Sequence, residues 1–169
     1  SLSVGHITPV SIAAGKTLSG AITVTAGSIK LGETGTLAST VTMSGGTLDA
    51  DESSTVSGAL TQSGAITIDV ATGKTLTYSG TAVSLGAYTL TMSGGGTLSN
   101  TNALDLNNAS SKLLLNSITL GSASTSLANS GLDVDDDSTV TSLSVGHTTP
   151  VSIDTGKTLS GAITVTAGS

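Results

Sequence analysis

Residues 1–28 read SLSVGHITPVSIAAGKTLSGAITVTAGS, and residues 142–169 read SLSVGHTTPVSIDTGKTLSGAITVTAGS. Only Ile7/Thr148, Ala13/Asp154 and Ala14/Thr155 differ, so 25 of 28 positions agree at an offset of 141 residues. The chain ends by starting again. It reads as one long repeat, 1–141, followed by the opening of the next, 142–169, with no true boundary between them. Self-similarity at a fixed period points to architectures in which each unit buries its apolar face only against a neighbour.

A shorter period runs inside the long one. Its unit is apolar–x–apolar with Ser, Thr or Asp between. It appears as Ser1-Leu2-Ser3-Val4, Ala21-Ile22-Thr23-Val24, Thr40-Val41-Thr42-Met43, Ala82-Val83-Ser84-Leu85 and Ala103-Leu104-Asp105-Leu106. It continues as Ser117-Ile118-Thr119-Leu120, Ser142-Leu143-Ser144-Val145 and Ala162-Ile163-Thr164-Val165, with Ala59-Leu60-Thr61-Gln62 a weaker copy. Strict alternation marks a strand with one buried face, because successive side chains point to opposite sides. The first apolar residues stand at 2, 22, 41, 60, 83, 104, 118 and 143, which is seven steps in 141 residues and a mean near 20.

A second pattern keeps a fixed internal spacing: an apolar residue stands seven before a Thr that is followed by Leu or Val. It occurs at Val10/Thr17, Ile29/Thr36, Leu48/Thr55, Ile68/Thr75, Leu90/Thr97, Leu132/Thr139 and Val151/Thr158. Constant spacing there and variable spacing elsewhere predict rigid corners joined to elastic loops. One copy is missing between Thr97 and Thr139, and the pattern places it around residues 104–113.

Three strands of three to five residues per turn of about 20, joined by Gly, Ser, Asn and Asp, are too short and too often interrupted for a sandwich. No Asn-Gly or Asp-Gly hairpin signal occurs. The predicted fold is all-β: a parallel β-helix, or β-solenoid, of about 20 residues per coil and about seven coils per 141-residue repeat. At about 4.8 Å per rung the repeat would stand about 34 Å tall, with Ile22, Val41 and Leu60 directly over one another. Composition agrees. The chain has 22 Gly, 2 Tyr and no Phe, Trp or Cys, so a thin interior must be filled in layers by small aliphatic side chains rather than by aromatic anchors.

Charge excludes some functions. The five basic residues are all Lys, against eleven acidic ones, for a net charge of −6. Nucleic-acid affinity depends on clustered Lys and Arg, so no nucleic-acid partner is expected. No run of about 18 apolar residues offers a membrane span, so no membrane insertion is expected either. Without Cys there are no disulfides or thiolate metal sites.

Gly-Lys-Thr occurs at residues 15–17, 73–75 and 156–158, but a phosphate loop needs a further Gly five positions earlier, where Val10, Ile68 and Val151 stand. A corner reading is expected instead: Gly takes a positive φ, Lys points into water and Thr opens the next strand. The acidic runs Asp133-Val134-Asp135-Asp136-Asp137 and Asp49-Ala50-Asp51-Glu52 both begin six residues before their Thr, at the same place in the coil. Clustered carboxylates suit Ca²⁺, so Asp133, Asp135, Asp136, Asp137, Asp49, Asp51 and Glu52 are the metal candidates. The plainer reading is a solvated acidic corner, and the ordering of helical or β-roll calcium loops is absent. His6 and His147 lack a partner for acid–base work and read as turn residues. Thr23-x-Thr25 and Thr164-x-Thr166 suggest an ice-binding ladder, but Ser44, Ser63, Gly86, Asn107, Gly121 and Gly146 break it elsewhere. Asn108-Ala109-Ser110 is a lone glycosylation triplet. Two carboxylates flanking an aromatic-lined groove, as glycoside hydrolysis requires, are not in evidence, and no enzyme is expected.

Three phrases, GKTLSGAITVTAG (15–27), YTLTMSGGGTL (88–98) and ALDLNN (103–108), resemble repeats of bacterial extracellular β-solenoids: autotransporter passengers, haemagglutinin-like adhesins and giant repetitive surface proteins. The resemblance implies a right-handed, three-faced β-helix at the cell surface or outside the cell. The expected function is a structural building block of a long extracellular filament, stalk or fibre, partnered by neighbouring repeats and by other copies. Two alternatives stand beside it: an adhesin module binding a glycan or surface through loops such as residues 122–130, and a β-helical polysaccharide-active enzyme.

Overall fold

The structure is a computed structural model. It describes residues 1–169 except 6, 8, 81, 82, 84, 85, 102, 103, 107, 122, 123, 128, 147–149 and 167–169, together with the side chain of Asp105. His6 and His147, most of the copy at residues 82–85 and part of the loop at 122–130 therefore lie outside the described residues.

Each alternating segment forms a strand with its apolar residues turned inward. Ala21–Val24 is representative: Ile22 and Val24 are buried while Ala21 and Thr23 are exposed. A strand this short exposes both edges, and both are satisfied by the equivalent strands one coil below and one coil above. On one face Leu2–Val4, Ala21–Val24, Thr40–Met43 and Leu60–Gln62 lie side by side. A second face holds eight strands in order: Val10–Ile12, Ser28–Leu31, Thr47–Ala50, Ile66–Val70, Thr89–Ser93, Lys112–Asn116, Gly131–Val134 and Val151–Ile153. The third begins with Thr17–Leu18, Thr36–Leu37, Ser54–Val56, Thr75–Tyr78, Thr97–Asn100 and Thr119–Gly121. Strand Ser138–Val145 turns a corner. Thr139–Val140 continues the third face on Thr119–Leu120, while Leu143–Val145 resumes the first on Thr125–Leu127. Leu159–Val165 repeats that path on top of it.

All pairing between named strands is parallel, and the molecule is a β-solenoid of about seven turns. The expected column exists: Leu2 pairs with Ile22, Ile22 with Val41 and Val41 with Leu60. On the second face Ile29, Leu48, Ile68, Met92, Leu115 and Val134 form another. These side chains make one continuous core along the axis. Each is worth roughly 1.5–3 kcal/mol as apolar burial, and none achieves it without the coils on either side.

Three expectations need correction. Residues 117–120 do not belong to the first face. Thr119 pairs with Thr97 and Leu120 with Leu98, so this segment is the missing copy of the Thr-Leu pattern. Its second-face partner is Lys112–Asn116, and the first-face strand of the next coil is Thr125–Leu127 on Leu104–Asp105. The alternation of Ser-Ile-Thr-Leu suits either face, so local pattern alone could not assign it. The constant spacing to Thr is also not a constant corner. Thr55 pairs with Thr77 rather than Thr75, and Ile68 pairs with Met92 rather than Leu90.

Both shifts have one cause. Six residues separate Asp49 from Thr55 and Ser93 from Ser99, whereas eight separate their ladder partners Asp69 and Thr77. The fourth coil carries two extra residues at this corner. A two-residue slip preserves which side chains face inward, so the core tolerates it. It brings Tyr78 over Val56 and leaves an isolated antiparallel bridge, Ala71–Gly95, beside the corner. The third correction follows: Asp49 and Asp133 are not at the same place in the coil. Asp49 lies in the outward column Lys30–Asp49–Asp69–Ser93, and Asp133 in the neighbouring column Thr67–Thr91–Leu114–Asp133.

Candidate functional site

The three Gly-Lys-Thr corners are one structure built three times. Gly15, Gly73 and Gly156 have φ of 65°, 75° and 78°. The following lysine N–H donates to the carbonyl three residues back: Lys16 to Ala13, Lys74 to Ala71 and Lys157 to Asp154, at 3.0, 2.9 and 2.9 Å. Thr17 and Thr75 open strands as expected, while the third strand opens one residue late, at Leu159.

The lysines do more than face water. Lys74 binds Glu52, and Lys157 Nζ lies 2.8 Å from Asp136 Oδ1, each one coil down. Two lysines on the second face act alike toward the coil above. Lys30 Nζ lies 3.1 Å from Asp49 and 3.0 Å from Asp51, and Lys112 Nζ is 2.8 Å from Asp133. Every one of these pairs links successive coils. The neighbouring carboxylates raise the pKa of all four lysines. Asp51 and Asp136 are lowered, each first by its hydrogen bond from lysine. Asp49 goes the other way: its partial burial outweighs the pull of Lys30, and Asp51 and Asp69 push in the same direction as burial. The difference between Asp49 and Asp51 is solvent, since the Asp51 side chain is far more exposed. These are surface pairs, each worth little singly; their common direction clips the coils.

The metal candidates separate into two kinds. Asp49, Asp51 and Glu52 are taken up by Lys30 and Lys74. Asp136 is held by Lys157, and Asp137 Oδ1 accepts the Thr158 N–H at 2.8 Å. Asp133 and Asp135 converge instead, and a residue missed at the sequence level joins them: one oxygen each of Asp133, Asp135 and Asp154 lie within 4.8 Å of one another. Asp154 is one of the three positions at which the copies differ, and that difference was the available signal. The equivalent residue in the first copy, Ala13, cannot contribute a carboxylate. Three oxygens at this separation could share a hard cation, with Lys112 already offsetting one of the charges.

Beside this corner is a groove of about 470 Å³ whose polar lining includes Ser110, Lys112, Asp133 and Ser152. The triplet at 108–110 forms its rim as an Asx turn, with the Ser110 N–H donating to Asn108 Oδ1 at 3.0 Å. At the broken Thr ladder, the Thr166 hydroxyl donates to the Val145 carbonyl at 3.1 Å, and Thr25, Ser44 and Ser63 make longer bonds of the same kind. Those hydroxyls tie a corner to the coil beneath. No protein-family model, curated protein or solved structure matches the chain.

Proposed function

We propose that this chain is a length-giving structural module: a segment of an extracellular, cell-surface filament or stalk built from tandem 141-residue solenoid repeats, without catalysis of its own. The observation that carries this is the junction between the copies. Strand Val151–Ile153 belongs to the second copy, yet it seats on Gly131–Val134 with Leu132 against Val151 and Val134 against Ile153, in the same parallel ladder as every coil before it. A repeat that continues its own ladder can be added again on the same ladder with nearly the same surface each time. That property serves reach and does not serve a unique site. The bacterial surface setting rests on the likeness of the Gly/Thr-rich corners to surface solenoids. A chain carrying two complete repeats should be about 34 Å longer than one carrying a single repeat, at unchanged cross-section, by small-angle X-ray scattering. Growth in width, or a compact two-lobed particle, would contradict the reading.

A second reading, adhesion, is favoured by the groove between Ser110, Lys112, Asp133 and Ser152, whose volume falls in the small-ligand range. Glycan-array binding that is lost on Lys112→Ala would support it. An array without a hit would remove it.

A further inference from the structure

We propose that the outward surface of the third face binds ice, through two adjoining columns of threonine that meet ordered water at a matching spacing. The inference goes beyond the filament reading and does not rest on it.

On this face Leu37, Leu76 and Leu98 are buried, and strand alternation turns their neighbours outward. One outward column runs Thr36, Thr55 and Thr77, each paired with the next. The adjoining column runs Thr75, Thr97 and Thr119 in the same way. Ser99 extends the first column and Thr139 the second. Constant spacing to Thr would have stacked these residues in single file, one per coil. The two-residue slip in the fourth coil divides the file: Thr77 continues the first column, and Thr75 opens the second beside it. All six threonines lie in interior coils, so the array does not depend on either end of the chain.

Spacing, free hydroxyls and charge all favour ice as the occupant. Rungs stand about 4.8 Å apart and the two columns about 6.6 Å apart, two residues along a strand; both repeats are close to oxygen repeats of hexagonal ice. Among the described residues, the hydroxyls of these six threonines make no hydrogen bond within the protein. Each is therefore open to donate one bond and accept others, and its β-branched stem is already stiff at χ1, so binding orders little that is not ordered before. The five lysines and eleven acidic residues all stand outside both columns, and an ice surface likewise carries no charge. The other faces lack this combination. On the first, the hydroxyls of Thr25, Ser44 and Ser63 are tied to carbonyls one coil below, which leaves that ladder one column wide. On the second, Thr47 and Thr67 lie beside the charged column of Asp49 and Asp69.

The test is uptake of the full chain into slowly growing ice, read as the protein content of the ice against that of the remaining liquid. The unsubstituted chain should be enriched in the ice, where an inert protein of similar size is excluded. Thr77→Lys and Thr97→Lys each place a charged stem in one column, and each should lose the enrichment completely. Thr42→Lys, the same change on the outward side of the first face, should keep it. Circular dichroism near the freezing point shows which variants are folded, and either third-face variant suffices for the comparison. If neither folds, Thr77→Ser and Thr97→Ser, which keep the hydroxyl and remove the methyl group, should each weaken the enrichment. Exclusion of the unsubstituted chain from ice would overturn the proposal. So would enrichment that survives in a folded third-face variant, or that is lost equally in Thr42→Lys. Self-association abolished by Thr97→Lys, or retention on crystalline cellulose, without uptake into ice would assign the face to a second copy or to a glycan lattice and would equally overturn it. None of these results touches the two-repeat length measurement, on which the filament reading stands separately.

Discussion

At the residue scale, the informative side chains are those that break the solenoid's own rules. Thr34 occupies the corner position that Gly15 and Gly73 hold in other coils, and it has a φ of 53°. A β-branched residue in the left-handed region costs about 1–2 kcal/mol, part of which glycine gives back as chain entropy. Thr34→Gly is therefore expected to raise stability slightly, by up to about 1 kcal/mol, measured as the denaturant midpoint at unchanged slope. A lower midpoint would show that the threonine is held there by something stronger than the corner.

Tyr78 is the buried aromatic, and its hydroxyl accepts the Leu60 N–H at 3.3 Å. Burial raises its pKa, and its hydrogen bond with Leu60 opposes that only in part. A group whose folded pKa is raised contributes stability that is complete below its unfolded value, about 10, and is lost as pH rises through the folded value. The four paired lysines titrate with the same sign in the same region, above about 10.5. On the acid side Asp51 and Asp136 lose their contributions as pH falls below about 4, while Asp49, raised by burial, is relieved by protonation and works against them. The melting temperature should thus be nearly flat from about pH 5 to 9.5 and fall above about 10. Tyr78→Phe should cost about 1–3 kcal/mol at neutral pH, by leaving the Leu60 N–H without its acceptor, and should shallow the alkaline fall. An alkaline limb unchanged by the substitution would move the cause to the lysines.

At the element scale, strand existence was legible and strand address was not. Alternation located Ala21–Val24, Thr40–Met43 and Ser28–Leu31 because one face of each is dry and the other wet. The same alternation could not say which face residues 117–120 join, since every face asks for the same pattern. Nor could spacing to Thr75 reveal the two-residue slip, because a slip of two leaves inward and outward positions unchanged. At the acidic corner, composition found Asp133 and Asp135 but not Asp154, which reaches them only because coils stack. The corners are where stacking is least forgiving. A Cβ on Gly58 would lie 1.7 Å from the Ser39 carbonyl oxygen, whereas one on Gly73 meets nothing within 4 Å. Gly73→Ala should therefore cost only the left-handed penalty, about 1–2 kcal/mol. Gly58→Ala must move backbone in two coils and should cost more. Equal losses in the two variants, by thermal unfolding, would mean that the coils are less tightly stacked than these contacts imply.

At the scale of the whole molecule, the fold is a spring of nearly equal turns whose interior is a continuous, largely aliphatic core and whose exterior is a set of ladders clipped by lysine–carboxylate pairs. Length is the quantity such an object specifies, and the repeat sets it: residues 141 apart in sequence must sit one repeat height apart in space, in the same orientation. Thr23 and Thr164 are such a pair, both exposed, in a chain without cysteine. Spin labels on Thr23→Cys and Thr164→Cys, read by pulsed electron paramagnetic resonance in dilute chain, measure that height directly. Seven coils at the strand spacing predict a single narrow distance near 34 Å. A broad distribution, or a distance well short of this, would mean that the turns do not rise one above another and that the account is wrong.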